Sequence, residues 1–108
     1  MIGIDIVEIN RIQDNAPELL NKVFTKEEIK YCKKYDKAWV HLAARFAAKE
    51  AIFKACNEAY DYKKISILDN KEVLVGDYHV FISMSHSENY AIAVAIAYDI
   101  GFVKGFIK

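Results

Sequence analysis

Phe46-Ala47-Ala48-Lys49-Glu50-Ala51-Ile52-Phe53-Lys54 is the stretch on which the fold turns. No Gly or Pro interrupts the run from Lys37 to Glu58, which predicts one long central helix with Asp36 placed to cap its start. At about 100° per residue, the face centred on Glu50 also carries Trp39, Ala43, Phe46, Ala47 and Phe53, all within about 60° of it. Glu50 is therefore expected on the core side. A carboxylate taken out of water needs a cation, a metal or an opening to solvent beside it. The opposite face, Ala44, Ala48, Ile52 and Ala55 with His41, is not a charged solvent face either. Cover on more than one side, in so short a chain, suggests that a partner subunit supplies part of it.

Upstream, Met1 to Ile9 alternates with Ile2, Ile4 and Ile6 on one face and Gly3, Asp5, Val7 and Ile9 on the other. Two apolar faces read as a strand covered on both sides, and Asp5 breaks that pattern. Pro17 fits the first turn of a short helix with Asn15 nearby as a cap. Thr25 and Glu28 form a capping box, with Phe24 and Ile29 as the hydrophobic staple, for a helix from about Lys26 to Lys34.

Downstream, strands are expected at Ile65 to Leu68, Glu72 to Val75, Tyr78 to Ser83 and Tyr90 to Tyr98, with turns at Asp69-Asn70-Lys71, Gly76-Asp77 and His86 to Asn89. In the last strand Ala91, Ala93, Ala95 and Ala97 share a face small enough for the central helix to lie on it. The tail from Ile100 to Lys108 reads as a further strand or an oligomer contact. The fold class is α+β: a small antiparallel sheet packed against one long helix, with shorter N-terminal helices.

The 108 residues make one domain, 1–108, with one core. A hydrophobic share of 54% with 28% charged residues belongs to a globular protein. Fifteen Lys and Arg balance fifteen Asp and Glu, so there is no basic field to attract nucleic acid, and no long apolar run to enter a membrane. Cys32 and Cys56 show no metal spacing, and Cys56 reads as packed rather than reactive; a reducing cytoplasm is expected.

Asp5 and Glu50 are two carboxylates set against their local pattern, flanked by Lys49, Lys54 and Arg45, with Ser83-Met84-Ser85-His86 at a strand end. Mg²⁺ is commonly held by one or two carboxylates, waters and substrate phosphates, which suits this pair. Lys54 lies one turn from Glu50, either as a helix-surface ion pair or facing the same phosphate. The three histidines lack zinc spacing, and Ser85 beside His86 is poorly placed for a nucleophilic triad. His86 with Ser87 fits an anion contact or a plain turn.

Ile2-Gly3-Ile4-Asp5 and Phe46 to Lys54 resemble the two signatures of the 4′-phosphopantetheinyl transferases, in the right order. Val7-Glu8-Ile9-Asn10-Arg11-Ile12, Thr25 to Glu28, Arg45 to Ala51 and Ser83 to His86 are similar to the short holo-acyl-carrier-protein synthase type. The resemblance implies the fold of that family and transfer of the 4′-phosphopantetheine arm of coenzyme A to a serine of apo acyl carrier protein. It implies Mg²⁺ on Asp5 and Glu50, with Lys54 neutralising the phosphate or protonating the leaving group, and Glu50 acting through water as base. Coenzyme A contacts are implied for Arg45, Lys54 and His86, and carrier-protein docking for Arg11; Lys49 on the helix flank and Ser87 beside His86 are read as further contacts to the same ligand. A homotrimer with active sites between subunits, and a place in fatty acid biosynthesis, are implied as well. The chain departs from the type at Asn57-Glu58-Ala59-Tyr60-Asp61-Tyr62, where a Gly-rich segment is usual, and near Asp69 to Leu74, where Gly-Lys-Pro is usual. Two other readings are a carrier-protein-binding module that lost the chemistry, and a different Mg²⁺-dependent enzyme acting on a phosphate ester.

Overall fold

A computed structural model describes residues 1–57 and 60–100. The elements run β1 (Ile2–Glu8), α1 (Ile9–Asp14), α2 (Ala16–Lys22), α3 (Lys26–Cys32), α4 (Ala38–Cys56), a short 3-10 turn (Tyr62–Lys64), β2 (Glu72–Val75), β3 (Tyr78–His86) and β4 (Tyr90–Asp99). The four strands form one antiparallel sheet in the order β1-β4-β3-β2. The α+β expectation is met.

Small side chains bring α4 onto the sheet. Ala91, Ala93, Ala95 and Ala97 of β4 are all buried, and Gly3 of β1 pairs with Ala95 beside them. A Cβ on Gly3 would lie 2.0 Å from the Ala51 carbonyl oxygen and 2.7 Å from the Ala55 nitrogen, so only glycine lets the backbones approach this closely. Asp5, opposite Ala93, shares the helix-facing side of β1. That is how a strand residue reaches the chemistry on α4.

The capping box forms as read: the Thr25 amide donates to Glu28 Oε1 at 2.9 Å and the Glu28 amide to Thr25 Oγ1 at 3.1 Å. Other local expectations need correction. Ile9 opens α1 instead of closing β1. Asp36 does not cap α4, which starts after Lys37 without a side-chain cap, and the Asn15 amide bonds back to the Arg11 carbonyl. No strand covers Ile65 to Leu68. There the Ile67 amide donates to Glu28 Oε2 at 3.0 Å, while the Ile67 and Leu68 carbonyls accept from Arg45, so buried side chains replace a ladder. The strand read as Tyr78 to Ser83 continues to His86. The tail after Ile100 lies outside the described residues, as does Glu58.

The two faces of α4 exchange the roles read from the sequence. Ala44, Ala48, Ile52 and Ala55 are the fully covered stripe, and Ile67, Val75, Val80 and Ile82 of the same chain share the core with the last three. On the Glu50 side Ala43 and Ala47 are buried, but Trp39, Phe46 and Glu50 are half-buried and Phe53 is exposed. The helix therefore needs no partner for its back. The uncovered apolar surface belongs to the sheet: Ile2, Ile4 and Ile6 are 71%, 56% and 62% exposed, with Phe81, Ile96 and Tyr98 also open. Within one chain, strand β1 is thus covered on one side.

Candidate active site

The first turns of α1 and α2, the second half of β1 and the middle of α4 surround an open cavity of about 550 Å³. Asp5 and Glu50 both line it, together with Glu8, Glu18 and Arg11. Four carboxylates and one guanidinium line it, with Lys54 bonded to Asp5 and Lys22 to Glu18 from its edge. Asp5 arrives from the helix-facing side of β1, and Glu50 from the half-covered face of α4.

Each carboxylate is held at one oxygen. Lys54 Nζ bonds Asp5 Oδ1 at 2.9 Å and the Ile4 carbonyl at 3.0 Å, so it reaches across to β1 and leaves the helix-surface pair with Glu50 unmade. Glu50 Oε1 instead accepts from the Tyr62 hydroxyl at 3.0 Å. Among the described residues no donor is bonded to Asp5 Oδ2 or Glu50 Oε2. Burial, and then the Glu50 carboxylate, push the Tyr62 hydroxyl above its ordinary value and keep it a donor at neutral pH. Tyr62 was not singled out from the sequence as a site residue, and a lone tyrosine after a helix carries no signal that would have done so.

The residue before Glu50 faces the other way. Lys49 is fully buried, with Nζ 2.6 Å from Glu28 Oε1, 2.8 Å from the Val23 carbonyl and 2.6 Å from the Tyr62 carbonyl. Burial draws its ammonium below the ordinary value while Glu28 draws it back up. All three of its donors are used, so the expected contact of Lys49 with coenzyme A is corrected: it is an interior brace. Arg45 is also held from inside: it is 6% exposed, and its Nε, Nη1 and Nη2 donate one bond each to the Ile67, His41 and Leu68 carbonyls.

His86 and Ser87 lie at the open end of β3 and do not line the cavity. The Ser87 amide donates to the Tyr90 carbonyl at 2.8 Å and its Oγ accepts from the Tyr90 amide, which is a turn duty. The His86 ring stands 6.0 Å from that of His41, which stacks on Tyr35 at 3.9 Å. Arg11 is exposed at the cavity rim. Cys32 and Cys56 are buried, and burial pushes the Cys32 thiol up to about 11.

Among the described residues, no group of three or more His, Cys, Asp or Glu is arranged to hold a metal alone. Mg²⁺ takes one or two carboxylates and completes its shell with water and substrate phosphate. The hard oxygen donors of Asp5 and Glu50 in an acidic cavity fit that ion.

A family model described as the 4′-phosphopantetheinyl transferase superfamily matches residues 1–95. The chain belongs to that family. The transferase is 38% identical over 107 residues to the holo-[acyl-carrier-protein] synthase of Thermodesulfovibrio yellowstonii, covering 88% of this chain and 95% of the relative. It is 40% identical over 114 residues to the synthase of Chlamydia caviae, covering 88% and 93%. Its fold matches the Bacillus anthracis holo-(acyl-carrier-protein) synthase solved in complex with CoA (3',5'-ADP), at TM-score 0.70 and 30% identity over 89% of this chain and 93% of that one. It likewise matches the Helicobacter pylori synthase solved in complex with coenzyme A, at TM-score 0.67 and 30% identity over 91% and 100%. No helix among the described residues is long and apolar enough to cross a membrane.

Proposed function

We propose that this chain transfers the 4′-phosphopantetheine group of coenzyme A to a serine of apo acyl carrier protein, releasing adenosine 3′,5′-bisphosphate. The observation that carries the reading is the meeting of Asp5 from β1 and Glu50 from α4 at one acidic cavity, with Lys54 bonded to Asp5. Homology to synthases of that name supports it.

In the reaction the serine oxygen forms a bond to the phosphorus of the pantetheine arm while that phosphorus releases the nucleotide phosphate oxygen. Asp5 and Glu50 would hold Mg²⁺, which supplies positive charge to the diphosphate oxygens as they pass through the transition state. Lys54, half-exposed beside Asp5, would neutralise those oxygens or protonate the departing phosphate. Glu50, through a water, takes the serine proton. Arg11 at the rim offers positive charge to an acidic carrier protein.

His86 and Ser87, at the open end of the sheet, would contact the nucleotide in a site completed by another copy. Homotrimer formation with active sites between subunits is supported by the exposed Ile2, Ile4, Ile6, Phe81 and Ile96, a contiguous sheet face that water leaves costly. Cytoplasmic location and a role in fatty acid biosynthesis follow from the same reading.

The test is to combine the protein with apo acyl carrier protein, coenzyme A and Mg²⁺ and weigh the carrier by mass spectrometry. A phosphopantetheine adduct is expected, and Asp5→Ala and Glu50→Ala should each slow its formation by about 100-fold or more while the circular dichroism spectrum stays native. No adduct on any carrier tried would remove the transferase reading. Normal turnover by either variant would remove the metal assignment.

A further inference from the structure

Glu50 is held from behind by a residue that lies outside the cavity. The Tyr62 hydroxyl reaches Glu50 Oε1 at 3.0 Å, yet Tyr62 is not among the residues that line the space Glu50 faces. Its other end is gripped as well. The Tyr62 carbonyl accepts from Lys49 Nζ at 2.6 Å, and its ring packs against Tyr60 at 4.7 Å between centroids. The Tyr60 hydroxyl in turn donates to the Lys49 carbonyl at 2.9 Å.

The circuit closes on two adjacent helix residues. Lys49, buried and tied to Glu28, holds the backbone of Tyr62, and Glu50 receives its hydroxyl. Asp5 has no comparable support. Its partner is the flexible and half-exposed Lys54, which the reaction needs elsewhere.

We propose that Tyr62 is a positioning residue for Glu50, its hydroxyl holding Oε1 so that Oε2 is presented to the cavity and to a divalent cation there. The inference rests on the function proposed above. A carboxylate free to rotate about its last bonds spends much of its time misaligned, and outer hydrogen bonds of this kind typically contribute about 10- to 100-fold in metal affinity or activity. The Lys49–Glu28 pair then has a second consequence beyond stability: it sets where the Tyr62 backbone starts.

Mn²⁺ is a suitable probe, because its binding is read by water-proton relaxation without any turnover. In Tyr62→Phe, which keeps the ring and removes the hydroxyl, Mn²⁺ affinity and kcat should each fall by about 10-fold, with KM for coenzyme A at saturating metal within about twofold of the parent. Tyr60→Phe removes the neighbouring hydroxyl, which bonds the Lys49 carbonyl and not Glu50, and should leave Mn²⁺ affinity unchanged. Parent-like or tighter Mn²⁺ binding by Tyr62→Phe would overturn the proposal. An equal loss in Tyr60→Phe would overturn it too, since loosening of the segment would then explain both. Failure of the parent to modify any carrier, with the Tyr62→Phe loss of Mn²⁺ still seen, would strike the transfer reading and leave this one standing.

Discussion

Two lysines on α4, five positions apart, each hold a carboxylate from another element, and the two pairs behave as opposites. Lys49 and Glu28 meet at 2.6 Å with both side chains 0% exposed. Lys54 and Asp5 meet at 2.9 Å with side chains 51% and 15% exposed. In the first pair every ammonium proton has an acceptor, and both Glu28 oxygens take backbone amides, from Thr25 and Ile67. Its partners are fixed by the packing of α3, α4 and the segment after them. In the second pair the lysine is anchored to one carboxylate oxygen and one edge carbonyl, and its side chain is half-exposed. One pair is architecture. The other has at its lysine the solvent access that the proposed phosphate contact would require.

Removing one partner should separate them most sharply. Lys49→Met leaves Glu28 charged in the interior, and loss of about 3 to 5 kcal/mol is expected by urea denaturation. A loss below about 1 kcal/mol would show that water reaches Glu28 after all. Lys54→Ala should do the reverse. Stability should change by less than about 1 kcal/mol, because the pair is partly solvated, while kcat should drop by about 100-fold through the lost phosphate contact. An enzyme with normal kcat would make this pair a surface ornament.

The smallest effect tests a third group on the same helix, in neither pair. Burial, and then Arg45 and His86, hold His41 below its ordinary value of 6.5. Because the unfolded chain takes up that proton first as pH falls, stability is complete above about 6.5 and declines below it until the folded value is passed. His41→Phe, which keeps a ring against Tyr35, should flatten part of that decline when urea midpoints are compared between pH 7 and pH 5. An unchanged slope would assign the decline to other groups.

Much of the site was legible because its residues break a local pattern. Asp5 stands in an apolar strand and Glu50 in an apolar helix, and those anomalies led to one cavity. Thr25 with Glu28 was legible too, since a capping box is written within four residues. Lys49 was misread for a related reason. Next to a catalytic-looking Glu, a lysine looks like a second ligand contact, but a rotation of about 100° per residue sends it to the interior. Ile65 to Leu68 was misread as a strand because apolar alternation does not say which groups satisfy the backbone. Here they are Glu28 and Arg45.

By itself, the sequence determined the elements with short-range causes: the α3 cap, the alanine face of β4, the Gly76-Asp77 hairpin turn and an uninterrupted α4. It also determined the inventory of the site, since a carboxylate that costs free energy in its own element must have a use or a partner. Only the tertiary structure decided the pairings. Whether Lys54 takes Glu50 or Asp5, whether Lys49 faces ligand or core, and that Tyr62 stands behind Glu50 all depend on contacts between residues 11 to 50 positions apart. Close approach of α4 to β1 over Gly3 brings the side chains within a few ångströms, and at that range the available partner, not the residue type, selects the bond.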